Sequence, residues 1–206
     1  MRWLITCLLT AATPLAFAGN QIYEPLAASV QSQMQSTISD QATPFLAFDN
    51  AEDAKAWLAA MSSKLERRMP DRRNREEFLV TVHYEAKRAG LDPQMVLGLI
   101  QVESAFRKYA VSSAGARGYM QVMPFWVGLI GRSEHNLFHL RTNLRYGCVI
   151  LKHYLDIEKG NVFRALGRYN GSLGKAEYPN MVLQAWTAQW KYQPASPGTL
   201  ATRHGG

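Results

Sequence analysis

Cysteine is nearly absent from this chain, with Cys7 and Cys148 the two in 206 residues. That count excludes a disulfide scaffold, and Cys148, at helical spacing from Leu144, Leu151 and Leu155, reads as a small core residue. Beyond the first residues there is no uninterrupted apolar run long enough to cross a bilayer. No stretch alternates apolar and polar residues at the strand period, and no internal repeat is visible. Phosphate-cradling glycine loops, zinc-protease signatures and nucleophile-elbow serines are missing too. Acid is scarce: 16 Asp and Glu against 23 Lys and Arg give a net charge of +7. Such a balance suits nucleic acid, an anionic membrane surface or an acidic wall polymer. The densest basic stretch, Lys64 to Arg75, is interleaved with Glu66, Asp71, Glu76 and Glu77, the pattern of a solvated helix face. Without zinc-finger spacing or an aromatic RNA-binding motif, nucleic acid is disfavoured.

The amino terminus carries Arg2, an apolar run from Trp3 to Leu9, and Ala16-Phe17-Ala18 before Gly19. This is the pattern of a secretory signal peptide over 1–18, shorter than a membrane span. It predicts export, with Cys7 removed and Cys148 left without a partner.

Helix signals dominate the remainder. Asn50 caps a helix with Trp57, Leu58, Met61 and Leu65, ending before Pro70; Asp71 caps another with Phe78, Leu79, Val82 and Ala86, stopped by Gly90. Asp92-Pro93 opens a third through Met95, Val96, Leu99 and Ile100 toward Phe106. A Ser-, Ala- and Gly-rich loop spans Val111 to Gly118, before an apolar segment ending near Pro124. Arg141 to Glu158 forms a helix stopped by Gly160, Asn161 caps a short one reaching Tyr169, and a last one carries Met181, Val182, Ala185, Trp186 and Trp190. The expected class is all-α, helix on helix. The expected organisation is a helical amino-terminal extension over 19–70, a catalytic domain over 71–193 and a polar, flexible tail over 194–206. Residues 19–50, rich in Gln, Ser and Ala, read equally as a packed helix or a loose extension.

Glu103 follows Val96, Leu99 and Ile100 by seven, four and three positions, so a helix sets its carboxyl beside an apolar stripe. Partial desolvation there raises a carboxyl's pKa and keeps it protonated, as a general acid toward a glycosidic oxygen requires. On periodicity alone an exposed or salt-bridged Glu at a helix end is the better reading.

Order and spacing add more. Gln101-Val102-Glu103-Ser104 precedes Gly115-Ala116-Arg117-Gly118-Tyr119-Met120-Gln121-Val122-Met123-Pro124, then a segment ending in Tyr169-Asn170, with Asn143, Gly147 and Leu151 between. Over roughly Phe78 to Trp190 this resembles the soluble lytic transglycosylase family, whose domain is similar to goose-type lysozyme. The resemblance implies a lysozyme-like helical fold, Glu103 as the catalytic acid/base, and Tyr169 as the phenol that hydrogen-bonds and orients it. It further implies that Ser112, Gln121, Met123 and Asn170 line a glycan groove, with Ser104 beside the acid. Departures fall at Trp126, where a small hydroxyl residue is usual, at His139-Leu140 for Asp-Pro, at Gly167-Arg168, and at Gly171-Ser172 for Ala-Gly.

The activity so implied is cleavage of the MurNAc-β-1,4-GlcNAc bond of peptidoglycan without water, giving 1,6-anhydroMurNAc ends in the periplasm, with no metal or other cofactor. Peptidoglycan strands are the expected partner; nucleic acid and a transmembrane segment are not expected, and an envelope-assembly partner is unspecified. Two rivals stand beside it: a goose-type hydrolase with Glu134 as second carboxylate, and a non-catalytic wall-binding component. His135 and His139, four apart, read as incidental histidines rather than as a metal site.

Overall fold

A computed structural model describes residues 21–193; the expected signal peptide and tail lie outside the described residues. Among these, eight α-helices follow in order: α1 (Ala28–Ser39), α2 (Ala51–Leu65), α3 (Arg72–Arg88), α4 (Pro93–Ser104), α5 (Phe125–Ile130), α6 (Leu140–Ile157), α7 (Val162–Asn170) and α8 (Glu177–Ala185). A π-helical turn, Trp186–Trp190, continues α8. The all-helical expectation holds.

The caps read from sequence do their work locally. Asn50, Asp71 and Asn161 each accept a hydrogen bond from the backbone N–H three residues on, and Asp92 accepts from Gln94 and Met95. Each such cap stabilises its helix by about 0.5–2 kcal/mol. Gly90 and Gly160 turn the chain at φ 72° and 84°, ending α3 and α6.

One element differs from the sequence reading, and another takes one of the two forms it left open. The segment expected to end near Pro124 instead starts a helix there, α5, which buries Trp126 and Ile130. Residues 28–39 form a helix, α1, whose Met34 and Ile38 join Trp57, Met61 and Leu65 of α2 in the same core as α3, α4, α6 and α8. Cys148 is part of that core, and burial pushes its thiol well above the ordinary range.

Helix α4 is central: nine of its twelve residues are buried, so it presents no wholly solvated face. It packs against α3, α8 and the π-helical turn, and α6 packs against α3 and α7. Gly147 on α6 makes room for the Met120 side chain, whose sulfur would lie 2.3 Å from an added Cβ. The carboxylate of Glu85 on α3, 1% exposed, takes Arg145 at 2.9 Å and Arg141 at 3.2 Å from α6. The same two guanidinium groups reach the carbonyls of Ile38, Asp40 and Ala42, fastening the end of α1 to α3 and α6.

His83 on α3 lies between Phe48 and Trp57, with ring centroids 4.7 and 4.8 Å away. Burial first, and the charge of Lys87 second, lower its pKa from 6.5 to about 4. An unfolded chain takes up this proton below about pH 6.5, whereas the fold refuses it until about pH 4, so stability is lost as pH falls through that window. Urea midpoints measured at neutral pH and near pH 4.5 should therefore fall in the native protein and fall less in His83→Phe. An identical fall in both would place the loss in other groups.

Candidate active site

Glu103 occupies the last turn of α4 and is 2% exposed. The chain behind it bends sharply. Ala105 and Phe106 hold φ of 49° and 66°, and Gln121, on the loop opposite, holds 49°. Left-handed backbone costs a non-glycine residue about 1–2 kcal/mol, and such strain persists where neighbours enforce it, often at functional sites. Here Phe106 is locked by Phe78 and Trp190 at ring distances of 5.9 and 5.4 Å, with the Arg68 guanidinium above it at 5.6 Å.

The phenol on the carboxyl belongs to Tyr178. Its hydroxyl donates to Glu103 Oε1 at 2.5 Å from the first turn of α8. Burial first, then the charge of Glu103 and this hydrogen bond, push the Tyr178 phenol well above its usual range, so it stays a neutral donor. Tyr169 was expected in that role, and the structure corrects this. Its hydroxyl donates to the Met120 carbonyl at 2.7 Å, and a phenol has one proton to give. Tyr169 still lies near enough for the charge of Glu103, after burial, to raise its pKa. It anchors the loop facing the acid from α7.

That loop, 110–124, is held by its own backbone bonds and by side chains. Two antiparallel bridges, Val111 with Arg117 and Arg117 with Val122, form its waist. Asn143 of α6, fully buried, accepts from Met120 N and donates to the carbonyls of Arg117 and Leu137, each at 2.8 Å. Gly118 has φ 75°, and an added Cβ would sit 2.4 Å from the Asn143 amide, so that position takes glycine for two reasons. Gln121, 1% exposed, donates both amide protons inward, to Ala110 and Gly118 carbonyls at 3.1 and 2.9 Å. Ser112, half-buried, accepts from Ala116 N at 3.1 Å, which leaves its own proton to give.

Of the residues expected to touch substrate, Met123 is half-buried at the loop's end and Asn170 is buried at the end of α7. Ser104 does not face a groove: it is 1% exposed, and its hydroxyl donates to the Ile100 carbonyl, so it closes the end of α4. Glu134, the other candidate acid, has a side chain 62% exposed that pairs with Arg132 at 2.8 Å. Among the described residues the buried carboxylates are Glu85, bound by arginines, and Glu103. His135 meets the Tyr146 hydroxyl at 2.7 Å, His139 is an exposed helix cap, and no group of three or more metal-ligating side chains occurs among the described residues.

Tyr178 went unnoticed in the sequence although a signal exists. Tyr178, Val182 and Ala185, at spacings of four and three, are the buried stripe of α8, while Met181 is 40% exposed.

Comparison with known proteins covers the residues of this site. Residues 81–181 match the family model of the transglycosylase SLT domain. Over 52 residues the chain is 50% identical to membrane-bound lytic murein transglycosylase C of Actinobacillus pleuropneumoniae serotype 5b, an alignment covering 25% of this chain and 14% of that protein. The protein of the same name from Haemophilus influenzae (strain PittEE) is 42% identical over 52 residues, 25% of this chain and 15% of that one. The alignments thus span about one seventh of these relatives' length. Among solved structures, an inactive mutant of lytic transglycosylase Slt from Pseudomonas aeruginosa aligns with a TM-score of 0.41 and 17% identity, covering 79% of this chain and 34% of that one. Residues 81–181, which hold Glu103, the loop opposite it and both tyrosines, are thus a transglycosylase SLT domain.

Proposed function

We propose that this protein is an exported lytic transglycosylase, working on peptidoglycan in the periplasm, with Glu103 as acid and then base. The observation that carries the reading is a carboxyl, 2% exposed and bound by a buried phenol, while the other buried carboxylate among the described residues is consumed by arginines. A glycosidase of the usual kind needs two carboxyl groups across the sugar; one suffices when the second nucleophile comes from the substrate.

In this reading Glu103 gives its proton to the oxygen linking N-acetylmuramic acid to N-acetylglucosamine, and that bond breaks. The positive charge on the anomeric carbon is shared with the substrate's own acetamido oxygen. The carboxylate then takes the proton of the muramyl 6-hydroxyl, whose oxygen bonds the anomeric carbon. Glu103 ends protonated as it began, and no water is consumed. Since Tyr178 donates to Oε1, the proton of the neutral acid sits on the other oxygen, and the phenol sets where that oxygen points.

The reading is tested by incubating the purified protein with purified peptidoglycan. Soluble muropeptides released by the native protein support it; binding without release would make the protein a wall-binding component.

Tyr178→Phe isolates the positioning role. Deleting the hydroxyl should change stability by about 0.5–1.5 kcal/mol and lower kcat by roughly tenfold or more, because a misdirected carboxyl loses near-attack geometry. Losing a donor to the carboxylate disfavours its charge, so the pH–rate limb reporting that ionisation should move to higher pH. Tyr169→Phe, which frees the Met120 carbonyl instead, should leave the limb in place. Equal profiles in the two variants would remove Tyr178 from its role.

A further inference from the structure

Gln21 is 4% exposed, although Ile22 and Tyr23 beside it are 61% and 57% exposed. Its Oε1 accepts from the Met123 backbone N–H at 3.2 Å and from the Trp126 indole N–H at 3.1 Å. Its Nε2 donates to the Gln121 carbonyl at 3.4 Å, and the same carboxamide reaches the Tyr169 phenol. A carboxamide thus fills a socket of two N–H donors, a carbonyl and a phenol, beside the tyrosine that feels the charge of Glu103.

The segment behind it is lightly fastened. Residues 21–27 form neither helix nor strand, and no backbone–backbone hydrogen bond holds 21–26 among the described residues. Tyr23 stands edge-on to Phe125 of α5 at 5.7 Å, and Glu24 pairs with Arg168 of α7 at 3.4 Å. Arg168 is already engaged by Glu158, and half-exposed ion pairs hold weakly. The chain therefore runs from α1 across α5 and α7 to the loop facing the acid. With Glu103 2% exposed, something near it must move before a polymer can reach its proton, and this lightly fastened segment ends on the loop that holds Gln121 and Met123.

We propose that Gln21 is an internal stand-in for a substrate acetamido group, and that residues 21–27 are a strap occupying the site. An N-acetyl group offers the same two features as the Gln21 side chain, a carbonyl oxygen that accepts and an N–H that donates. The socket formed by Met123, Trp126, Gln121 and Tyr169 takes the acetamido group of an N-acetylhexosamine when the strap lifts. Trp126, where this sequence departs from the family pattern, supplies the second donor. This rests on the glycan-cleaving reading above and names the group that the site grips.

Binding to a strap-closed site is weakened by the fraction of molecules that are open. Titration of N-acetylglucosamine trimer, followed by calorimetry, should show about tenfold tighter binding to Gln21→Ala than to the native protein. The deacetylated trimer should show no such gain. A second variant, Tyr23→Ala with Glu24→Ala, loosens the strap while keeping the socket and Gln21, and should give a smaller gain in the same direction. Unchanged or weaker binding of the acetylated trimer in both variants would overturn the proposal, as would an equal gain with the deacetylated one. Muropeptide release measured on the same preparations separates the two ideas. Tighter acetylated binding without release keeps the strap and removes the lyase; release with unchanged binding does the reverse.

Discussion

Glu103→Gln is expected to lower the rate of peptidoglycan cleavage by ~10²–10⁴-fold or more, the usual contribution of a general acid. Glutamine keeps the size and planarity of the side chain, and its carbonyl oxygen can still accept from the Tyr178 hydroxyl that now bonds Oε1. What it lacks is a transferable proton and the basic form needed to close the anhydro ring. The site around it should persist, because the loop is held by Asn143, Gln121 and Tyr169. Glycan binding and melting temperature should thus stay near native while turnover collapses. Measured as muropeptide release per folded molecule, a variant within a few-fold of native would remove Glu103 from the chemistry.

Glu85→Ala should be the most damaging change to stability. It leaves the Arg145 guanidinium, whose side chain is 7% exposed, with its carboxylate partner gone. Removing one partner of a buried pair costs about 3–5 kcal/mol, because the remaining charge stays desolvated. For a chain of this size that is a fall in melting temperature of roughly 6–20 °C. The damage should centre on the end of α1, where Arg145, Arg88 and Arg141 hold the carbonyls of Ile38, Thr37 and Ala42. Replacing Glu85 and Arg145 together with apolar residues of similar volume should recover part of the loss. A single variant melting within two degrees or so of the native protein would show the arginines resolvated at little cost.

How far the sequence could be read depended on whether the cause was local. Asn50, Asp71, Asp92 and Asn161 cap the helices they were expected to cap, because a side chain bonding its own next turn needs no tertiary information. Glu103 was visible through the order and spacing of its motifs, since its place on the apolar side of one helix equally suits a structural glutamate. Helix α1 was not decided, since its Gln- and Ser-rich sequence buries just Met34 and Ile38 and owes its place to Arg145 and Arg88 from elsewhere. Helix α5 was hidden because six residues give too few turns for a period to show. The exchange of Tyr169 for Tyr178 has a tertiary cause: which phenol meets the carboxyl depends on how α7 and α8 pack against α4 and the loop. Gln21 lies 100 residues from the carbonyl it meets, beyond any local pattern.

The central claim is that Glu103 breaks the glycosidic bond and returns the proton without consuming water. Its most direct test is mass analysis of the products released from purified peptidoglycan in water enriched with oxygen-18. The account predicts fragments ending in 1,6-anhydro-N-acetylmuramic acid, lighter by one water than the hydrolytic product and carrying no heavy oxygen at that end. Fragments with a labelled reducing end, lost in Glu103→Gln, would contradict it and make the protein a hydrolase.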